Sequence, residues 1–339
     1  MHYMAIKILL LFGGESSEHE VSITSAKNVR AALDASAYDI ALCYITKDGR
    51  WKLVDDIDSL ESEAYLSPVF GQKKFSVTDG TEVMVDVILP ILHGAHGEDG
   101  DVQGVAQLIH VPCVGPSLIG AAISMDKDVT KRLLRDIRVP VVDWIAWHVS
   151  LAAPSYEQVV AKLGGVVFVK PANAGSSVGV SKAKTADEYI EALELAKQHD
   201  RVVLIERAIS GHEIEVAVLG NGDDVIVSTP GEIIPGEEFY SYDDKYSEAS
   251  TSQFSIPADL PAELIEQIKQ YARSAYIATR GQGLARIDFF VDDEGAIYLN
   301  EINSIPGFTN ISMYPKMMAY DGMSYPQLID RLISLATEV

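Results

Sequence analysis

Cysteine is nearly absent. The 339 residues contain two, Cys43 and Cys113, and no Cys-x-x-Cys. That argues against a disulfide framework and against a cysteine-built structural zinc site. Each sits in an apolar run, where a small side chain packs inertly. Positive charge is scarce too: 27 Lys and Arg stand against 49 Asp and Glu, for a net charge of −22. So acidic a chain argues against sequence-independent nucleic-acid binding and against docking on anionic membranes. No apolar stretch approaches the ~20 residues of a membrane-spanning helix. The opening run, residues 4–12, is short, has no small-residue cleavage site and reads as a buried first strand. Neither GxGxxG nor a GK[ST] P-loop occurs, so the two commonest nucleotide loops are missing. With 47% hydrophobic and 22% charged residues, the chain is an ordinary globular one of two or three domains, expected in the cytoplasm.

What is present has a clear order. In the first third, a strand at 6–12 leads through Gly13-Gly14 into a helix at 21–33; strands at 40–45 and 83–92 follow, the latter ending at His93. Strand, glycine turn and helix in that order predict a parallel α/β sheet covered on both faces. Ligands of such sheets sit beyond the carboxyl ends of the strands, which is where Gly13-Gly14 and His93-Gly94 fall. A helix at 124–136 precedes a second β-rich block with strands at 145–149, 166–170, 178–181 and 202–206 and a helix at 186–199. A strand at 213–220 follows. From Pro230 to Ser250 the chain turns rich in Gly, Glu, Tyr and Ser, a length that suits a functional lid. A helix at 262–280, a hairpin and a helix at 328–338 complete it. The boundaries predicted are 1–118, 119–205 and 206–339.

The hairpin, Ala285 to Asn303, carries the most chemistry. A turn at Asp292 to Gly295 sets Arg286 opposite Glu301, with Asp288 diagonal to Glu301; a two-residue turn pairs Asp288 with Glu301 directly. In both registers Asp288, Glu301 and Asn303 share one face. Oxygen donors of this kind suit Mg²⁺, although a solvated acidic hairpin has the same pattern. Lys170 precedes Gly175-Ser176-Ser177, a small-residue loop whose N–H groups and hydroxyls can approach a polyanion, as an ordinary Gly/Ser hairpin also can. Lys127 opens a helix, where it is either a phosphate partner or simply solvated. Glu18 and Glu20 stand at a helix start, where they either cap it or hold a substrate ammonium. The loop from His93 to Gly100 suits polar substrate positioning better than a metal. After Asn303, the Gly307 N–H can face an oxyanion and Ser312 a carboxylate; a turn and a helix cap is the plainer reading.

Together these segments resemble the ATP-grasp enzymes and, more narrowly, the D-alanine–D-alanine ligases. The matching stretches run in order along nearly the whole chain: Gly13-Gly14 with Glu18, Glu20, Val21 and Ser22; His93-Gly94 with Gly97-Glu98-Asp99-Gly100; Ser124-Met125-Asp126-Lys127; Lys170-Pro171 with Gly175-Ser176-Ser177-Val178-Gly179; Tyr240, Tyr242, Lys245 and Tyr246; and Asn300-Glu301-Ile302-Asn303 with Pro306-Gly307-Phe308-Thr309. The resemblance implies a Rossmann-like first domain followed by a two-lobed α+β ATP-grasp fold. It implies ligation of two D-alanines through a D-alanyl phosphate, releasing ADP and phosphate, for a peptidoglycan precursor. Lys127 and Lys170 would hold the α/β-phosphates beside Ser176 and Ser177; Glu206 and Ile209 would border the adenine and Glu213 the ribose. Asp288, Glu301 and Asn303 would bind two Mg²⁺, or Mn²⁺, and Lys245 would neutralise the transferring phosphoryl group. Glu18 would take the first substrate's ammonium, Ser312 and the Met313 backbone the second substrate's carboxylate, and His93 would orient substrate. Arg286 and the Gly307 N–H would stabilise the oxyanion. Tyr246 would close on Ser176 and Glu18, and a tyrosine there accompanies dipeptide formation. A homodimer through the first domain is implied as well. The rivals are a D-alanine–D-lactate or D-alanine–D-serine ligase on the same fold, and a catalytically silent nucleotide-binding protein.

Overall fold

The computed structural model describes residues 5–234, 253–309 and 312–338. Lys245 and Tyr246, with most of the predicted lid, lie outside the described residues.

The first domain is built on β1 (Ile6–Gly13), followed by α1 (His19–Ala32), β2 (Tyr38–Ile45) and β3 (Trp51–Val54). A small antiparallel sheet then forms from β4 (Leu66–Val69), β5 (Lys74–Val77) and β6 (Glu82–Met84), before β7 (Val87–Ile91) returns to the main sheet. The main sheet has the order β3-β2-β1-β7, with β1 parallel to both β2 and β7. The unbroken apolar run of β1 has a simple cause. Ile8, Leu10 and Phe12 face one core with Ala26 and Val29 of α1. Leu9 and Leu11 face another with Phe75 of β5 and Val102 and Ala106 of α2 (Asp101–Leu108). Two faces buried leave no polar alternation to see.

The apolar stretch at 83–92, read above as one strand, is two. Asp86 lies between them, its N–H bonding the Lys7 carbonyl at 2.8 Å and its carboxylate accepting the Lys7 N–H at 2.9 Å. The helix at 124–136 is likewise two, α3 (Leu118–Met125) and α4 (Lys127–Asp136), divided at Asp126. The Asp126 carboxylate accepts the Val129 N–H and so caps the second helix.

The next sheet, β10-β9-β11-β8, is antiparallel throughout and carries α5 (Tyr156–Leu163) and α6 (Ala186–Ala196). Its strands are β8 (Trp144–His148), β9 (Val167–Pro171), β10 (Ser181–Ala183) and β11 (Val202–Arg207). The last strand spans the boundary expected at 205/206. The largest sheet has the order β15-β14-β12-β16-β17, with β13 beside β12. It uses β12 (Gly211–Asn221), β13 (Asp224–Val227), β14 (Gly231–Ile234), β15 (Gln253–Ser255), β16 (Leu284–Asp292) and β17 (Ile297–Asn303), backed by α7 (Ala262–Ala278). The final helices, α8 (Met313–Tyr320) and α9 (Tyr325–Thr337), fold back on the first domain: Met317, Leu328 and Leu332 share a core with Ile8, Leu10 and Phe12. That return presses the carboxyl ends of β1 and β7 against the loop after β17.

Candidate active site

Between these parts lies a cavity of about 600 Å³. Glu18 reaches it from the start of α1, His93 from the end of β7, Lys127 from the first turn of α4 and Ser176 from the loop after β9. Arg286, Glu301 and Asn303 line it from the hairpin, and Gly307, Ser312 and Met313 from the loop that enters α8. Ten predicted site residues, from every part of the chain, therefore share one opening. Lys170, Ser177, Glu206, Ile209, Glu213 and Asp288 are not in its lining.

Glu18 occupies the cap position of α1 but its side chain does not cap. Its carboxylate instead accepts a 2.5 Å hydrogen bond from the Ser176 hydroxyl, across 158 residues of sequence. Ser176 and Ser177 both sit at positive φ, 50° and 60°, which turns the loop sharply toward the first domain. Glu20 is exposed and pairs with Lys47 at 3.0 Å. His93 is buried; its Nδ1 lies 3.1 Å from the Ile305 carbonyl and its Nε2 3.3 Å from Ser25 Oγ. A carbonyl only accepts, so Nδ1 carries the proton and Nε2 accepts from the serine. Burial lowers the histidine's pKa despite the neighbouring Glu18 charge, so it stays neutral. Both ring nitrogens are engaged in the described contacts. Ser312 Oγ is held by Thr309, accepting its N–H at 3.1 Å and meeting its hydroxyl at 2.8 Å. A Cβ added to Gly307 would come within 2.9 Å of that same oxygen.

The hairpin combines two registers: the Asp288–Glu301 pair is the one a two-residue turn predicts, but the pairing near the tip fits neither turn. Near the tip Val291 pairs with Ile297 and Phe289 with Leu299; beyond it Asp288 pairs with Glu301 and Arg286 with Asn303. A β-bulge at this step makes Asn300 the extra residue. It reverses the inside–outside alternation, so that Leu299 and Ile302 both enter the core while Glu301 and Asn303 turn to the cavity. The three oxygen donors keep one face, as anticipated. The guanidinium of Arg286 bonds both oxygens of Asp288, at 2.8 and 2.7 Å, and pairs with Glu215 at 3.1 Å. Burial works against its charge, but Asp288 and Glu215 hold its pKa well above the ordinary value. The Asn303 amide adds a 2.9 Å bond to Asp288. Two carboxylates facing each other across paired strands, with an amide oxygen beside them and no sulfur or imidazole, are a fitting donor set for a hard divalent cation.

Two residues of the cavity wall escaped the sequence reading. Glu215 lies directly opposite Asp288 on β12; the alternation Glu213-Ile214-Glu215-Val216 already puts it on the polar face. Glu98 was quoted without a role. It accepts the Gly94 N–H at 3.1 Å, and burial together with the Glu18 charge pushes its pKa up to about 8. In the same loop His96, Asp99 and Asp101 gather at the surface, where His96 Nδ1 meets Asp101 at 2.6 Å and braces the turn.

The two predicted lysines are buried, Lys127 in the cavity wall and Lys170 behind it. Lys127 Nζ donates to the Ala174 carbonyl at 2.7 Å and stands 3.4 Å from Glu301. Lys170 Nζ pairs with Glu206 at 2.8 Å and reaches Asn300 Oδ1 at 3.3 Å. The Glu206 carboxylate is thus committed to lysine. Ile209 is partly exposed between β11 and β12, and Glu213 sits on β12 toward its Gly211 end.

Two β-lobes that close on paired lysines and an acidic hairpin, behind a parallel α/β domain, define an ATP-grasp architecture. The family comparisons agree. Residues 7–116 match the family described as D-ala D-ala ligase N-terminus, and residues 133–334 match D-ala D-ala ligase C-terminus. A D-alanine–D-alanine ligase of Sodalis glossinidius is 45% identical, over 97% of this chain and 94% of that protein. The structure of the D-alanine–D-alanine ligase from Coxiella burnetii superposes with a TM-score of 0.88 at 37% identity, covering 98% of this chain and 94% of the other. That of the VanG D-Ala:D-Ser ligase from Enterococcus faecalis gives 0.90 at 34% identity, covering 98% and 100%. The chain belongs to the D-alanine–D-alanine ligase family.

Proposed function

We propose that the protein joins two D-alanines into D-alanyl-D-alanine, a peptidoglycan precursor, while ATP is cleaved to ADP and phosphate. The observation that carries this reading is the single cavity in which Glu18 and Ser176, Arg286 and Glu301, and Gly307 and Ser312 face one another. The ammonium of the first D-alanine binds Glu18, with His93 orienting it. Its carboxylate oxygen attacks the γ-phosphorus and the bond to the β-phosphate oxygen breaks, leaving an acyl phosphate and ADP. The neutral amine of the second D-alanine, its carboxylate held by Ser312 and the Met313 backbone, attacks the acyl carbon. Arg286 and the Gly307 N–H receive the charge that develops on the carbonyl oxygen. Collapse expels phosphate, and the nitrogen loses its proton.

Lys127 and Lys170 hold the nucleotide's phosphates beside the Ser176 and Ser177 loop. The backbone at Glu206 and Ile209 borders the adenine, and Glu213 takes the ribose. Asp288, Glu301 and Asn303 would hold Mg²⁺, two ions in this reading, or Mn²⁺; bound there, the metal neutralises the transferring phosphoryl group. Arg286 now covers Asp288, and yielding that carboxylate to a cation leaves the guanidinium for the oxyanion. Lys245 and Tyr246 keep the phosphoryl and lid roles that the resemblance implies. A homodimer and a cytoplasmic location belong to the same reading. Among the described residues, no helix is long and apolar enough to cross a membrane.

The test is product analysis with D-alanine, D-serine and D-lactate competing at neutral pH. Dipeptide of D-alanine is expected to dominate; a predominance of depsipeptide or of D-alanyl-D-serine overturns the substrate assignment. Phosphate release from ATP, Mg²⁺ and D-alanine is expected to fall by about 10² or more in Asp288→Ala and Glu301→Ala. Variants that match the unchanged protein would remove the hairpin from the chemistry.

A further inference from the structure

Lys131 has no part in the site described so far, yet it is among the largest side chains that are completely buried. An ammonium in that position needs a reason, because leaving water is costly for a charge. It lies one helical turn after Lys127 on the same face of α4. Lys127 turns to Ala174 and Glu301, whereas Lys131 reaches behind the site. There its Nζ donates to the Val142 carbonyl at 3.2 Å and stands 5.7 Å from the centre of the Trp144 ring. It is 2.9 Å from Glu206 Oε1, close enough for an ion pair. The other oxygen, Oε2, is 2.8 Å from Lys170 Nζ. Lys170 and Glu206 are diagonal neighbours on one face of β9 and β11, since Lys170 pairs with Leu204 two residues away.

One carboxylate thus stands between two ammonium groups. The trio carries a net charge of one, and Lys170, at its outer end, reaches toward the hairpin through Asn300. Without Lys131, both oxygens of Glu206 would be left to Lys170. That pair would be neutral and would offer little to a phosphate.

We propose that Lys131 is a positioning residue for nucleotide binding: by neutralising Glu206 from behind, it leaves the Lys170 ammonium its charge for the nucleotide's phosphates. The inference rests on the reading of Lys170 as a phosphate ligand. Burial lowers the Lys131 pKa and the Glu206 charge opposes that, while Lys131 and Lys170 keep Glu206 ionised against its own burial.

The experiment compares Lys131→Met, the double variant Lys131→Met/Glu206→Gln and Lys170→Ala in the full chain. It measures the Kd of a non-hydrolysable ATP analogue with Mg²⁺, the KM of D-alanine, and Tm as a check on folding. Lys131→Met is expected to weaken the analogue by about tenfold or more while the D-alanine KM changes little. The double variant removes the surplus carboxylate charge, so affinity is expected to return to within about threefold of the unchanged protein. A purely structural role predicts no such recovery. Unchanged affinity in Lys131→Met, or a folded double variant no better than the single one, overturns the proposal. If the single variant does not fold, a double variant weakened by about tenfold or more relative to the unchanged protein overturns it. Lys170→Ala separates the two readings: if it leaves affinity intact, the phosphate role of Lys170 fails and this inference with it. If it weakens binding and Lys131→Met does not, only the inference fails.

Discussion

Glu98 is buried in the wall of the cavity with the Glu18 charge nearby, and burial first and that charge second disfavour its carboxylate. Its pKa stands at about 8 against an ordinary 4.5. A carboxyl raised in the folded state stabilises the fold below its ordinary pKa, and that contribution is lost as pH rises through about 8. Glu98→Gln imitates the protonated acid and keeps an oxygen for the Gly94 N–H. The unchanged protein should therefore lose Tm relative to Glu98→Gln as pH rises from about 5 to about 8, with the gap constant above that. A difference that does not vary with pH would refute the raised pKa of Glu98. At this scale the sequence was uneven. Glu18, Arg286 and Asp288 could be named because each stands in a short pattern with an obvious partner type. The pull on Glu98 could not, because it depends on α1 and the loop after β7 meeting in space. Nor could the commitment of Glu206 to two lysines, which needs the depth of Lys131.

At the scale of elements, the bulge at Asn300 decides what the hairpin can do. Paired strands alternate with a period of two, yet the core-facing residues of β17 are Ile297, Leu299 and Ile302. The spacing of three between the last two was legible in the sequence and marks the extra residue; two candidate turns hid it by giving the correct face for another reason. The split of 83–92 was marked too, by Asp86 inside an apolar run, and that of α3 from α4 by Asp126, a favoured cap. The small sheet of β4, β5 and β6 left no comparable sign, since its strands are three or four residues long. Asn300 itself offers a graded test. Asn300→Ala keeps the residue count and the bulge, and removes the acceptor for Lys170. Its effect should be confined to nucleotide affinity, a few-fold increase in the KM of ATP, at the ~1 kcal/mol scale of one hydrogen bond. Deletion of Asn300 removes the bulge and turns either Leu299 or Glu301 to the wrong face. It should abolish activity and lower Tm by several degrees, as read by steady-state kinetics and thermal melts. A deletion as active as Asn300→Ala would mean the register is set elsewhere.

Three of the four sheets among the described residues are brought to one cavity, and the protein's function depends on how they are tied together. One tie is apolar: α8, α9 and Phe308 of the loop after β17 share a core with β1 of the first domain. The other is polar and includes the hydrogen bond from Ser176 on the middle lobe to Glu18 on the first domain. The order of the lobes could be read from the alternation of strands and helices. Their mutual placement could not, because no local pattern records a contact over 158 residues. If the Ser176–Glu18 contact helps close the middle lobe over the acyl phosphate, breaking it should admit water and waste ATP. Alanine is a poor probe there, since Ser176 sits at φ 50°; glycine accepts that conformation and removes the hydroxyl alone. Ser176→Gly is therefore predicted to fold with little change in Tm, to raise the KM of D-alanine by up to about tenfold, and to form less dipeptide per ATP cleaved. The ratio is the decisive quantity, because a variant that merely binds substrate weakly forms dipeptide slowly without wasting nucleotide. Phosphate release and dipeptide measured in the same reaction give it directly. A ratio that stays at one dipeptide per phosphate, at saturating D-alanine, would leave the Ser176–Glu18 contact a feature of substrate binding and not of closure.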